Sequence, residues 1–165
     1  MAGKHPALFL DRDGVINRER GMHTWRLEEF EILPGVAEAV RMAHAAGLLV
    51  IVITNQSGIG LGLYGHGDVD RVHAYLHRQL ALQGAQLDAV YYCPHHPEQG
   101  RCLCRKPGSL LFERAIARFG IDAGRSLMVG DRQRDMDAAQ AAGVRGVLVE
   151  PDSPLLPLLK EECMV

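Results

Sequence analysis

Ala7-Leu8-Phe9-Leu10-Asp11-Arg12-Asp13-Gly14-Val15-Ile16-Asn17 is the stretch that decides how this chain is read. A short apolar run reads as a buried strand, and it delivers two carboxylates, spaced i and i+2, just past its end. Carboxylates at that spacing point to the same side. Open α/β sheets place their ligands beyond the carboxyl ends of the strands, and a carboxylate pair there can hold a hard cation or do acid, base or nucleophilic work. Aspartates beside a glycine also cap ordinary turns, so the rest of the chain has to decide.

Working outward, further apolar runs at 48–53, 88–92, 126–129 and 146–149 read as strands. Helical patterns fall between them at about 35–46, 68–83, 108–119 and 133–142. Pro34-Gly35 opens the first helix and Gly47 ends it; Pro107 precedes the third, Gly120 ends that one, and Gly143 ends the fourth. The alternation predicts an α/β fold, a Rossmann-like parallel sheet with helices on both faces, in one domain over 1–165 with its core at 7–149. Residues 14–33 show no clean period and 57–67 hold five glycines, so both read as loops over the strand ends. The tail from Pro151, with Pro154 and Pro157, is expected to pack loosely and is assigned no function.

Composition narrows the partners. The chain has 165 residues, 47% hydrophobic and 23% charged, enough for one sizeable core. Its formal charge of -2 and 5% aromatics leave no basic or aromatic track for nucleic acid and no footprint for an anionic membrane. The expected partner is a small molecule, bound by a monomer. Met1 to Pro6 lead to only four apolar residues, too few for a signal-peptide core, and Leu48 to Ile53 is too short to span a bilayer. A cytoplasmic location is the expectation.

Three more strand ends carry polar side chains. Thr54-Asn55-Gln56-Ser57-Gly58 offers hydroxyls, amides and free backbone N–H groups that cradle phosphate oxygens. Arg105-Lys106-Pro107 places a point charge and a guanidinium where a phosphoryl group and another anionic or hydroxyl-rich part of a substrate would lie. Val129-Gly130-Asp131-Arg132 supplies a further carboxylate, placed to complete a Mg²⁺ site with Asp11, while Asp135 is placed to support the site or bond Lys106. Together these are the groups that phosphoryl transfer through an aspartyl-phosphate requires.

Of the four cysteines, Cys93, Cys102 and Cys104 fall within twelve residues, and Cys163 lies in the tail. Cys93-Pro94-His95-His96 and Cys102-Leu103-Cys104 make poor material for a disulfide framework but suit a closed tetrahedral Zn²⁺ site of three thiolates and one imidazole. His96 rivals His95, although it sits on the opposite face of an extended segment.

On these motifs, DRDGVIN at 11–17, TNQSG at 54–58, RKP at 105–107 and GDRQRD at 130–135, the chain resembles the haloacid dehalogenase-like phosphatases over residues 7–149. The resemblance implies Asp11 as nucleophile and Mg²⁺ ligand. It implies Asp13 as the acid and base that also gives Mg²⁺ its backbone carbonyl, Thr54 and Lys106 as phosphoryl contacts, and Asp131 as a Mg²⁺ ligand. The zinc loop and the lack of room for a large cap domain further resemble the D-glycero-D-manno-heptose 1,7-bisphosphate phosphatases and the related histidinol-phosphate phosphatases. That likeness implies Cys93, His95, Cys102 and Cys104 around a structural Zn²⁺. Glu19, Arg20, Gly21, Met22, Asn55, Gln56, Ser57, Arg105 and Arg132 would contact substrate.

ITNQSGI at 53–59, YYCPHH at 91–96 and MVGD at 128–131 look closer to the heptose enzymes. Removal of the C7 phosphate of the heptose bisphosphate is the expectation, histidinol phosphate the alternative, and a non-catalytic phosphate-binding module the reading from another class. Three departures bear on this. Gly60-Leu61-Gly62 lacks the arginine usual in the heptose enzymes, only six residues separate His95 from Cys102, and Met22 replaces an aromatic residue.

Overall fold

Ala7–Leu10 (β1) is buried on both sides in the computed structural model, which describes residues 4–162. Side chains alternate across a strand. Leu8 and Leu10 therefore join one hydrophobic core while Ala7 and Phe9 join another on the opposite face. A strand covered on both faces has no polar side, which is why its sequence reads as an unbroken apolar run.

β1 is the middle of five parallel strands, with β2 (Leu49–Asn55), β3 (Ala89–Cys93), β4 (Leu127–Gly130) and β5 (Arg145–Leu148) in the order β3-β2-β1-β4-β5. Phe9 pairs with Ile51 of β2 on one side and Met128 of β4 on the other. Helices α1 (Val36–Ala45), α2 (His66–Ala81) and α5 (Leu155–Glu162) pack on the Leu8 face, and α3 (Leu110–Phe119) and α4 (Gln133–Ala141) on the Phe9 face. In α3, Leu111, Phe112 and Ala115 form the buried stripe, and Gly120 ends the helix in the left-handed conformation.

The strands after β1 run outward in one direction through β2 and β3 and in the other through β4 and β5. The reversal lies between β1 and β4, whose carboxyl ends diverge into separate loops and leave a crevice. Asp11 and Asp131 emerge directly into it.

Most element ends fall within two residues of the sequence expectation, and two departures bear on the site and the core. β2 continues through Thr54 and Asn55, which pair with Tyr92 and Cys93, because the ladder is a backbone property and outlasts the apolar run. The tail does not pack loosely: α5 buries Leu155 and Leu159 and packs against α1. These leucines are four residues apart on one helical face, and Pro157 lies in the first turn, where its missing N–H has no helical acceptor to lose. Cys163 lies outside the described residues. Among the described residues no helix is long and apolar enough to cross a membrane.

Candidate active site

The turn after β1 is set by Gly14, whose φ is +87° and whose place would bring any Cβ into the Asp131 carboxylate. Only glycine permits both the conformation and the approach. Asp11 is nearly buried; its Oδ1 accepts from the Arg12 backbone N–H at 2.9 Å and from Lys106 Nζ at 3.0 Å. Lys106 Nζ also donates to the Ile53 carbonyl at 2.7 Å and pairs with Asp135 Oδ1 at 2.6 Å. Burial works against a charge on Lys106, but Asp11 and Asp135 outweigh it and hold its pKa above the ordinary lysine value. Asn55 clamps the Lys106 backbone from both sides, accepting from its N–H at 3.0 Å and donating to its carbonyl at 3.2 Å.

Asp11 lies on the other side of that balance. Burial pushes its carboxyl up to about 8; Lys106 opposes the shift, and Asp135, Asp13 and Asp131 add to it. Asp131 is raised too, by burial and by Asp135. Oxygens of Asp11, Asp131 and Asp135 lie within 4.8 Å of one another, and Asp131 Oδ2 is buried with no hydrogen-bond partner. With all three ionised, these carboxylates would leave two negative charges in excess of the one lysine; burial and that excess are why Asp11 keeps its proton without a cation. Hard oxygen donors with that charge fit Mg²⁺. Asp135 is the least available of the three, since Lys106 takes Oδ1 and the Arg132 N–H takes Oδ2 at 3.0 Å.

Asp13 is held differently. Its Oδ1 accepts from Arg12 Nη2 and from Asn17 Nδ2, both at 2.9 Å, and its Oδ2 from Gln56 Nε2 at 3.2 Å. Burial alone would raise its pKa, but the Arg12 charge and these hydrogen bonds outweigh burial and hold the carboxyl below its usual range. The same Gln56 Nε2 donates to Thr54 Oγ1 at 3.0 Å, and Gln56 Oε1 accepts from Tyr64 at 2.9 Å. Trp25 stacks on Tyr64 at 5.7 Å between ring centroids. The amide of Gln56 thus ties Thr54 to Asp13, and that of Asn55 steadies Lys106.

These groups form the floor of a cavity of about 570 Å³. Glu19, Gly21, Met22, Ser57, Arg105 and Arg132 line its walls as the sequence suggested. Arg20 does not line it: its Nη1 pairs with Glu29 at 3.1 Å and its Nη2 contacts Met22 Sδ. Several lining groups were not anticipated, among them His96 and Arg134. His96, the rejected zinc-ligand rival, faces the cavity, and Arg134 adds a third guanidinium from the first turn of α4. A further surprise is Asp152, in the tail that was assigned no function. It accepts from the Glu19 N–H at 2.7 Å through Oδ1 and donates its own N–H to the Gly14 carbonyl at 2.8 Å, so it braces the loop that carries Glu19.

Beside the cavity, Cys93, His95, Cys102 and Cys104 converge with their ligand atoms within 4.8 Å of one another. Zn²⁺ bonds of about 2.3 Å to sulfur and about 2.0 Å to nitrogen give tetrahedral edges of about 3.8 and about 3.5 Å. Cys93 Sγ lies 3.7 Å from Cys102 Sγ and 3.4 Å from His95 Nδ1, and His95 Nδ1 lies 3.3 Å from Cys104 Sγ; the Cys93–Cys104 edge is shorter, at 2.8 Å. The donor set fits zinc. Burial opposes the Cys102 thiolate, but the Arg105 N–H, with Cys93, Cys104 and His95, brings it down to about 7.

A HAD-hydrolase-like family profile matches residues 103–153. A D-glycero-alpha-D-manno-heptose-1,7-bisphosphate 7-phosphatase from Burkholderia mallei is 43% identical over 152 residues, covering 88% of this chain and 80% of its own. The beta-named enzyme of Escherichia coli K12 is 40% identical over 164 residues, covering 95% and 85%. A crystal structure of D,D-heptose 1,7-bisphosphate phosphatase from B. bronchiseptica, complexed with magnesium and phosphate, superposes with a TM-score of 0.82 at 30% identity, covering 95% of this chain and 99% of that one. Fold and site together define a haloacid dehalogenase-like phosphatase without a large cap domain. The likeness goes further than the class: the chain belongs to the family of D-glycero-D-manno-heptose-1,7-bisphosphate 7-phosphatases.

Proposed function

We propose that this chain removes the C7 phosphate of D-glycero-D-manno-heptose 1,7-bisphosphate through a phospho-Asp11 intermediate. The observation that carries the reading is the meeting of Asp11, Asp13, Thr54, Lys106 and Asp131 at the floor of one cavity whose walls hold Arg105, Arg132 and Arg134. Two donors engage Asp11 Oδ1, so attack on phosphorus falls to Oδ2. The bond from phosphorus to the C7 oxygen breaks as Asp13 gives that oxygen a proton, which the negative charge of the incoming phosphate must hold on a carboxyl that Arg12 keeps ionised in the free site. Water then adds to phosphorus, Asp13 takes its proton, and the Asp11 carboxylate leaves. Lys106 and the Thr54 hydroxyl steady charge on the phosphoryl oxygens throughout.

Mg²⁺ held by Asp11, Asp131 and the Asp13 carbonyl would neutralise charge on the same oxygens. Zn²⁺ held by Cys93, His95, Cys102 and Cys104 would fold the loop that aims Arg105 and Lys106. The substrate's second phosphate calls for cations away from the floor. Arg134 offers one from α4, which offsets the arginine absent from Gly60-Leu61-Gly62.

Phosphate release from the heptose bisphosphate and from histidinol phosphate, measured side by side with Mg²⁺, tests the reading. A large kcat/KM preference for the bisphosphate is expected, and preference for histidinol phosphate would overturn the substrate. Asp11→Asn should abolish turnover with an unchanged circular dichroism spectrum; an active variant would remove Asp11 as nucleophile.

A further inference from the structure

Among the described residues Arg12 is the largest fully buried side chain, and the mechanism above gives it no part. Burying a guanidinium carries a large desolvation penalty, and apolar side chains of similar volume often stabilise a fold equally well. Stability alone therefore leaves the residue unexplained. Its contacts are specific. Arg12 Nη2 donates to Asp13 Oδ1 at 2.9 Å and to the Thr24 carbonyl at 2.8 Å, Nη1 meets His73 Nε2 at 3.3 Å, and the guanidinium lies 5.4 Å from the centre of the Phe30 ring. Burial, with Arg12 and His77, pushes the His73 pKa down to about 3, so its neutral imidazole accepts through Nε2. A backbone carbonyl, an imidazole on α2 and an aromatic ring thus fix a planar cation from three sides.

The consequence falls on Asp13. Arg12 Nη2 and Asn17 Nδ2 occupy Oδ1, and Oδ2 meets only the longer Gln56 contact at 3.2 Å. The Asp13 side chain is 27% exposed, so solvent and substrate reach it. We propose that Arg12, buttressed by His73, is a positioning residue: by holding Asp13 Oδ1 it presents Oδ2 as the oxygen that gives the proton to the leaving group and later takes it from water. This rests on the phosphatase reading and deepens it, since general acid and base catalysis depends on the aim of the proton-carrying atom.

The test compares kcat/KM for two esters, because that ratio reports phosphoryl transfer to Asp11 and not the later hydrolysis. The C7 phosphate of the heptose bisphosphate leaves as an alkoxide and needs the Asp13 proton, whereas 4-nitrophenyl phosphate leaves as a stable anion and does not. Arg12→Met should lose at least about tenfold more on the bisphosphate than on the aryl ester, with KM little changed. Arg12→Lys, which keeps a donor toward Asp13, should recover part of that difference. Equal losses on both esters would mean that Arg12 only supports the fold, and would overturn the proposal.

If the Arg12 variants fail to fold, the His73 pair decides. His73→Leu removes the acceptor and should show the same ester-selective loss, roughly threefold or more, which His73→Gln restores by accepting through its amide oxygen. A wild-type ester ratio in His73→Leu would overturn the proposal. A wild-type chain that turns over neither ester would overturn the phosphatase reading and this inference with it, whereas equal losses in the variants leave that reading standing.

Discussion

Replacing Asp131 by Asn should make the Mg²⁺-free protein more stable while abolishing its function. Oxygens of Asp131, Asp11 and Asp135 lie within 4.8 Å of one another around one lysine, and Asp131 Oδ2 has no hydrogen-bond donor. Asp11 keeps its proton below about pH 8, so the like-charged pair is Asp131 with Asp135, which at 4.8 Å and an effective dielectric constant of 20 costs about 3.5 kcal/mol. Lys106 cancels part of the repulsion, and partial exposure of Asp131 screens more, so neutralising the side chain should yield about 1–2 kcal/mol. For a chain of this length that is a rise in Tm of about 3–6 °C. The Asn amide adds a donor toward the remaining carboxylates. The assay is calorimetric unfolding in buffer stripped of Mg²⁺ but not of tightly bound zinc, repeated after Mg²⁺ is added. The wild type should gain stability from the ion by linkage, and the variant should not. A variant that melts at or below the wild type without Mg²⁺, or that gains as much from Mg²⁺, would refute the charge-excess argument.

The raised Asp11 pKa carries a sign that a melt can read. The folded chain keeps a proton up to about pH 8 that the unfolded chain loses near pH 4, so stability without Mg²⁺ should fall as pH rises through that window. Tm measured from pH 5 to pH 8 should decline more steeply in the wild type than in Asp11→Asn; parallel curves would remove Asp11 as the source. Cys102→Ser should lower zinc content, measured by mass spectrometry, and lower Tm by about 5 °C or more, because a closed zinc site contributes folding energy directly. Leu159→Ala in α5 should cost about 2–5 kcal/mol as a core truncation, read as a shift in denaturant midpoint; a surface-like change under about 0.5 kcal/mol would mean that the tail is not part of the core.

The motif DRDGVIN and its three companions were legible because a parallel strand buried on both faces must be apolar throughout, and the polar residue that follows it stands at the sheet's carboxyl edge. The five strands and the convergence of Asp11, Thr54, Lys106 and Asp131 follow from that rule. The cysteine spacing was equally direct, since four candidate ligands in a twelve-residue loop need little tertiary information to meet. α5 was not legible: its prolines read as breakers, and the stability of a short helix comes from the surface it covers rather than from its own propensity.

Side-chain commitments were harder still. Asn55 and Gln56 line the cavity as expected of substrate contacts, and their amides are also engaged with the Lys106 backbone and with Thr54, Asp13 and Tyr64, which the sequence did not show. Arg20 sat among loop residues expected at the substrate, yet Glu29 holds it away. Arg12 read as a charged spacer between two aspartates; its burial depends on Thr24, Phe30 and His73, which come from separate parts of the chain.

By itself the sequence determined the class of fold, the order of the strands' polar termini and the kinds of atom that line the site, because hydrophobic periodicity and strand-end chemistry are local properties. Packing alone settled which carboxylate shares Lys106, which cations face the cavity, and which oxygen of Asp13 is the less engaged. Those are matters of distance between residues far apart in the chain, set by how helices and loops pack around the sheet.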